Sequence, residues 1–174
     1  MKKFFKIMSM AVVAACVCFA SCGEKDKPEQ PEVIKWPVSE MENAANHYAL
    51  HYNGSAVVPG ATVVYTATSE DRANDLVTVI FTPENKTDEA LMASQEVAIV
   101  EGPESLKDVE VCGGGNCPWS GDPYRLEPGL NEEMPIAIDI HPSGHAAGTT
   151  ALYRVAIADR NMNNATFIYL RINL

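Results

Sequence analysis

The chain has 174 residues, and its 23 aspartates and glutamates outnumber its 13 lysines and arginines, which gives a net charge of −10 at pH 7. Nucleic-acid binding depends on basic side chains that neutralise phosphates, so this balance argues against a nucleic-acid partner. It also argues against a basic surface that lies on anionic lipid, whereas a cation, a basic peptide or a neutral sugar remains compatible with it.

The first 21 residues have the design of an export signal. Three lysines stand within the first six positions, and Ile7–Ala20 is apolar except for one serine. This run is too short to cross a membrane, because a spanning helix needs about 20 apolar residues. The small pair before Cys22 resembles the bacterial lipoprotein signal, in which the cysteine is acylated and becomes the mature amino terminus. The alternative is an ordinary signal peptide that has a cysteine near its cleavage site.

The lipoprotein resemblance implies a mature protein of 153 residues with a charge near −13, since three basic and no acidic residues leave with positions 1–21. Two or more acyl chains anchor a protein stably, so we expect an outer-membrane lipoprotein on the periplasmic or the cell-surface side. Residues 22–40 are predicted to be a flexible tether, because the stretch after Cys22 is charged and poor in apolar residues. The remaining residues, 41–174, fit one folded domain.

Apolar and polar residues alternate repeatedly beyond the tether, and this period of two predicts β-strands. Segments of this kind lie at 48–52, 61–68, 76–82, 97–99, 109–111, 136–140, 153–157 and 168–174. Proline, glycine and asparagine between them favour turns. Helix is expected for no more than a turn or two, at 38–46 or at 87–95. The second of these segments is equally compatible with a strand extension. The prediction is an all-β fold, a Greek-key β-sandwich of about seven or eight strands.

The second half of the chain carries an ordered set of motifs. Val109-x-Val111-Cys112-x4-Cys117 is followed by a Pro-Gly turn, then by Ile138-x-Ile140 with a turn after it, and finally by two alternating strands. This order resembles an immunoglobulin-like sandwich module of exported Bacteroidota-type proteins, and it covers about Ala61 to Leu174. The resemblance implies a fold and an exported protein, but no activity.

Cys112 and Cys117 are predicted to form a disulfide. They are the cysteines left to pair once the signal is removed and Cys22 is acylated, and export places them in an oxidising compartment. The three glycines between them permit a tight closure. Closing so short a loop contributes about 2 kcal/mol to stability, so the bond is expected to be a local clamp at a hairpin tip. A redox site would favour Cys-x-x-Cys spacing, and a thiolate metal site would need further ligands.

Trp119 and Tyr124 follow the clamped loop and are the candidate ligand contacts. Aromatic side chains on a rigid loop supply contact area at a low entropic cost, which would suit a protein or a sugar. The alternative is that Trp119 folds back and caps the end of the sandwich over the disulfide.

Two histidine pairs and one acidic segment are candidate metal sites. His47 and His51 are four positions apart, which in a strand is about 13 Å and too far for one ion, whereas His141 and His145 flank a turn and are able to approach each other. The segment that begins Asp159-x-Asn161 resembles the opening of a calcium loop but lacks the expected glycine and the final glutamate. Neither pattern supports a metal site.

The sequence carries no catalytic signature: it has no Gly-x-Ser-x-Gly, and no glycine-rich loop precedes a helix. We therefore predict a non-enzymatic lipoprotein without a cofactor, whose sandwich binds or scaffolds a protein or a glycan of the cell envelope. The alternatives are a carbohydrate-binding surface lipoprotein and a metal-binding protein.

Overall fold

The computed structural model describes residues 47–107, 109–113, 123–160 and 164–174. The predicted signal peptide, the lipidation site Cys22 and the predicted tether lie outside these residues. Within the described ranges, no helix is long and apolar enough to span a membrane.

Strands dominate the described part of the chain. They are β1 (Tyr48–Tyr52), β2 (Ser55–Ala56), β3 (Thr62–Thr66), β4 (Val77–Asn85), β5 (Leu91–Glu101), β6 (Glu110–Cys112), β7 (Tyr124–Leu126), β8 (Gly129–Leu130), β9 (Ile136–Ile140), β10 (Thr150–Asp159) and β11 (Thr166–Asn173). The helical elements there are one short helix, α1 (Ser69–Asn74), and one 3₁₀ turn, Glu104–Leu106.

The strands form two sheets. One has the order β2-β1-β4-β9-β6, with β8 also paired to β4, and the other has the order β3-β11-β10-β5-β7. The strand pairs are antiparallel except for β3 with β11, which is parallel. In the immunoglobulin fold one sheet has the strand order A-B-E-D, and strands C, F and G form the other. Because β1-β4-β9-β6 and β5-β10-β11 follow these orders, the predicted all-β, immunoglobulin-like sandwich is confirmed.

The chain departs from that plan between β5 and β9. β6 joins the first sheet beside β9, and only then does β7 return to the second sheet beside β5. The strand in the D position, β6, therefore precedes β7, the strand beside the C position, in the chain.

The core lies between the two sheets and is built from the alternating residues that predicted the strands. Phe81, Ile138 and Val155 each have no exposed surface, and their neighbours two positions away on the same strands are buried with them. Burial of this kind contributes about 25 cal/mol for each Å² of apolar surface. The period-two pattern is thus also the main source of stability.

The observed elements differ from the sequence prediction in several places. The sequence did not predict β2, β7, β8 or α1, and two of the predicted strands have clearly different bounds. The segment predicted at 97–99 is the end of an 11-residue strand, β5, which also takes up most of the ambiguous stretch 87–95. The strand predicted at 61–68 ends at Thr66, because Thr68 instead caps α1. The Thr68 hydroxyl accepts from the Asp71 backbone N–H at 3.1 Å, and the Asp71 carboxylate accepts from the Thr68 N–H at 2.7 Å, which is a capping box.

Candidate functional site

Tyr124, one of the two predicted ligand contacts, lies in the core. It begins β7 with 6% of its surface exposed, and its hydroxyl donates to Oε1 of Gln95 at 2.9 Å. Burial raises the pKa of Tyr124 well above its usual range, so the phenol stays neutral at physiological pH. The predicted surface role of Tyr124 therefore needs correction, because its hydroxyl and its ring are used inside the protein. The other predicted contact, Trp119, lies outside the described residues.

Gln95 anchors both ends of the loop that was predicted to carry the binding surface. Gly113, just after β6, packs so closely on the Gln95 side chain that a Cβ at position 113 would overlap its amide. Tyr124 is bonded to the same amide from the other end of the loop. Gln95 itself is 1% exposed, so one buried side chain positions residues on both sides of 114–122. Cys112 ends β6 directly before Gly113, and since Cys117 lies outside the described residues, the disulfide stays a prediction.

Further polar groups collect at this end of the core. Tyr48 is fully buried, and its hydroxyl has no hydrogen-bond partner among the described residues. Burial, together with the nearby charge of Asp159, raises the pKa of Tyr48 to about 12. The Asp159 carboxylate accepts from Asn164 Nδ2 at 3.2 Å, and Asn164 takes a left-handed conformation with φ of 56°, which suits the hairpin turn predicted for this segment. The segment that resembles the opening of a calcium loop thus contains an asparagine that forms a turn.

The histidines lie in separate local interactions. His51, on β1, is 2.7 Å from a carboxylate oxygen of Glu84 on the neighbouring β4. His141 Nδ1 is 2.7 Å from the backbone oxygen of Asp75, whose carboxylate also accepts from the Ser143 N–H at 2.6 Å. Within the described ranges, no three His, Cys, Asp or Glu side chains converge as metal ligands.

The most distinctive surface near the Gln95 anchor is an unpaired strand edge. β7 pairs with β5 only at Leu91–Ala93, and among the described residues no strand pairs with Ser94–Glu101 on the side away from β10. We call this stretch the open edge. Its inward side chains Val97 and Ile99 are partly exposed, whereas their counterparts on β10 are fully buried.

The gap between the two sheets beside the open edge is filled from the segment that links β5 to β6. Leu106, on the 3₁₀ turn, is 3% exposed, and its carbonyl accepts from the Tyr153 hydroxyl at 2.8 Å. Burial raises the pKa of Tyr153 to about 12, so this donor keeps its proton. The core is thereby closed on this side, and the backbone of the open edge remains at its rim.

An open depression of about 590 Å³ lies beside β7, which is the strand that pairs with the start of β5. Its lining residues are Arg125, Glu127, Leu130, Asn131, Glu132, Glu133 and Met134. Arg125 is paired with Glu127 at 2.6 Å, and the Asn131 side chain holds the intervening turn by bonds to the Glu127 and Gly129 carbonyls. Three of the seven lining residues are acidic and one is basic, so the depression beside β7 has a negative balance of charge.

No protein-family model and no curated protein matches the chain, whereas several solved structures are similar to it. The N-terminal domain of PorA is similar with a TM-score of 0.53 at 14% identity, over 72% of this chain and 96% of that one. A FixG-related protein from Vibrio parahaemolyticus gives 0.43 at 14% identity, over 72% and 93% of the two chains. The CooA pilin subunit from enterotoxigenic Escherichia coli gives 0.43 at 13% identity, over 74% and 98%. The likeness to the PorA domain supports the sandwich fold alone.

Proposed function

We propose that this protein is a membrane-anchored lipoprotein whose sandwich binds or scaffolds another component of the cell envelope and catalyses no reaction. The observation that carries the proposal is the open edge of β5, because a strand edge with partly exposed apolar side chains favours contact with another chain. The buried Gln95 side chain, which lies at the start of the open edge, also holds Gly113 and Tyr124 in place, so this part of the surface has a fixed framework.

A protein partner suits this surface better than a sugar. The carbohydrate alternative depended on Trp119 and Tyr124 together offering exposed aromatic faces. The burial of Tyr124 removes one of these faces, whereas unpaired backbone groups and exposed apolar side chains are features that a polypeptide partner satisfies.

Site-specific photo-crosslinking in intact cells tests the binding surface. A photoreactive residue at Val100, on the open edge, or at Trp119, in the adjoining loop, is expected to give a discrete adduct with one partner. Ile80 is the matched control, because it lies on the outer face of the other sheet and is 50% exposed, against 48% for Val100. Adducts at all three positions in equal yield, or at none, would contradict a defined binding surface on this side of the sandwich.

The anchor is tested separately by Cys22→Ser. Without the thiol no acyl chain can be attached, and since stable anchoring depends on those chains, we expect the variant to leave the membrane fraction. Cys112→Ser is the matched control, because it makes the same chemical change elsewhere and should leave the protein in the membrane fraction. Cell fractionation with intact-mass spectrometry reads out both variants. A mature wild-type mass without acyl groups would contradict the lipoprotein assignment.

A further inference from the structure

We infer that the open edge takes up an extended, basic segment of a partner protein as an added β-strand. This inference deepens the proposed function and rests on it. It names the kind of partner and the mode of contact, which would be backbone pairing alongside β5.

The backbone of the open edge is long enough for such pairing. Its regular part, Ser94–Ile99, spans about 20 Å at roughly 3.3 Å per residue, and it forms an unbroken ladder with β10 on the other side. In an antiparallel ladder every second residue directs its N–H and C=O away from its partner strand. Three of these six residues therefore present both groups at the rim of the sheet, which is the template that strand addition uses.

The open edge has few of the features that prevent edge strands in natural proteins from pairing with other chains. Such edges are commonly protected by lysine, by proline, by bulges or by very short strands. The stretch Val97–Val100 contains neither lysine nor proline, and β5 is the longest of the described strands. One register shift occurs in the ladder opposite Leu152 and Tyr153, near the end of β5, so Ser94–Ile99 stays regular. Among the described residues, this edge is therefore a suitable template for an added strand.

Charge favours a basic occupant. The basic side chains around the open edge already have carboxylate partners: Arg154 with Glu96 at 2.7 Å and Lys107 with Glu104 at 3.2 Å. Arg125 on β7 is likewise paired. Glu101 at the end of β5 and Glu110 on β6 are exposed, and within the described ranges neither has an ion-pair partner.

The same charge argues against a second copy of this chain at the open edge. Each mature chain has a net charge near −13, so two copies that met at this edge would repel each other. Apolar residues at every second position of the partner would cover Val97 and Ile99, and lysine or arginine between them would meet the carboxylates.

Three synthetic peptides test the inference on the full mature protein. The first is an eight-residue alternation of lysine and valine, the second alternates glutamate and valine, and the third is the lysine peptide with every second amide N-methylated. The lysine peptide is expected to slow amide hydrogen exchange about tenfold at alternate positions of Ser94–Glu101. The other two should not, because one has the wrong charge and the other cannot complete the ladder. β3, which is also at a sheet edge, serves as the internal reference.

A pair of variants makes the result specific to the open edge. Val100→Lys adds a positive charge there and is expected to weaken the lysine peptide about tenfold. Ile80→Lys makes the same change on the other sheet and should leave its affinity unchanged. The inference would be overturned if the glutamate peptide or the N-methylated peptide protected the amides equally, or if β3 were protected equally. It would also be overturned if a dimer protected the same amides without peptide. Crosslinking at Trp119 without any at Val100 would also overturn it while leaving the proposed function standing.

Discussion

Replacing Arg154 by methionine is expected to destabilise the protein by about 3 kcal/mol at pH 7, since the loss of one partner from a buried ion pair leaves the other charge uncompensated. Arg154 is 2% exposed on the outward face of β10, and it donates to the Glu96 carboxylate at 2.7 Å. Its guanidinium also lies 5.8 Å from the centre of the Phe167 ring. Methionine preserves much of the side-chain volume, so the expected loss is mainly electrostatic.

The pH dependence of this variant distinguishes the ion pair from simple packing. Burial raises the pKa of Glu96, while the hydrogen bond and the charge of Arg154 both act to lower it, so removing Arg154 should raise that pKa further. A carboxyl group whose folded-state pKa is raised stabilises the fold fully below its unfolded pKa, about 4.3, and this contribution is lost as the pH rises through the folded-state pKa. The deficit of Arg154→Met should therefore be smallest at pH 4 and largest at pH 7.

Urea unfolding at both pH values measures the deficit, and carboxyl NMR follows the Glu96 titration. Adding Glu96→Gln to Arg154→Met should recover part of the stability at pH 7, because no buried carboxylate then remains. A deficit that is equal at pH 4 and pH 7 would show that Arg154 acts through packing alone.

The sandwich could be predicted because its central strands alternate cleanly. β9 reads Ile-Ala-Ile-Asp-Ile, and its three isoleucines are buried as the period of two requires. The beginning of β5 could not be identified in the same way, because its inward positions include the polar Gln95 among small residues. A polar residue at an inward position breaks the apolar alternation even when a hydrogen bond satisfies it.

The candidate site was harder to predict because it depends on contacts between distant segments. Tyr124 and Leu126 are both buried around the exposed Arg125, but three residues are too few for periodicity to separate a short core strand from an exposed aromatic loop. The open edge exists because β7 pairs with only the first three residues of β5. Strand pairing of this kind is not encoded in the local pattern of either strand.

Gly113→Ala is expected to destabilise the fold by about 2 to 3 kcal/mol, because it forces a methyl group into the space that the Gln95 amide occupies. Gln95 is 1% exposed, so its side chain has little room to move without giving up the hydrogen bond from Tyr124. Overpacking and the loss of such a bond each cost about 1 to 3 kcal/mol, and relief of one at the expense of the other keeps the expected total at about 2 to 3 kcal/mol.

A double-mutant cycle separates these contributions. Gln95→Ala alone should destabilise, since the Tyr124 hydroxyl is left buried without its acceptor. Gly113→Ala added to Gln95→Ala should then cause little further loss, because the amide that it would strike is gone. Thermal unfolding of the four proteins gives the coupling. Additive effects would mean that Gly113 and Gln95 act independently, and the residues on the two sides of 114–122 would then lack a shared anchor.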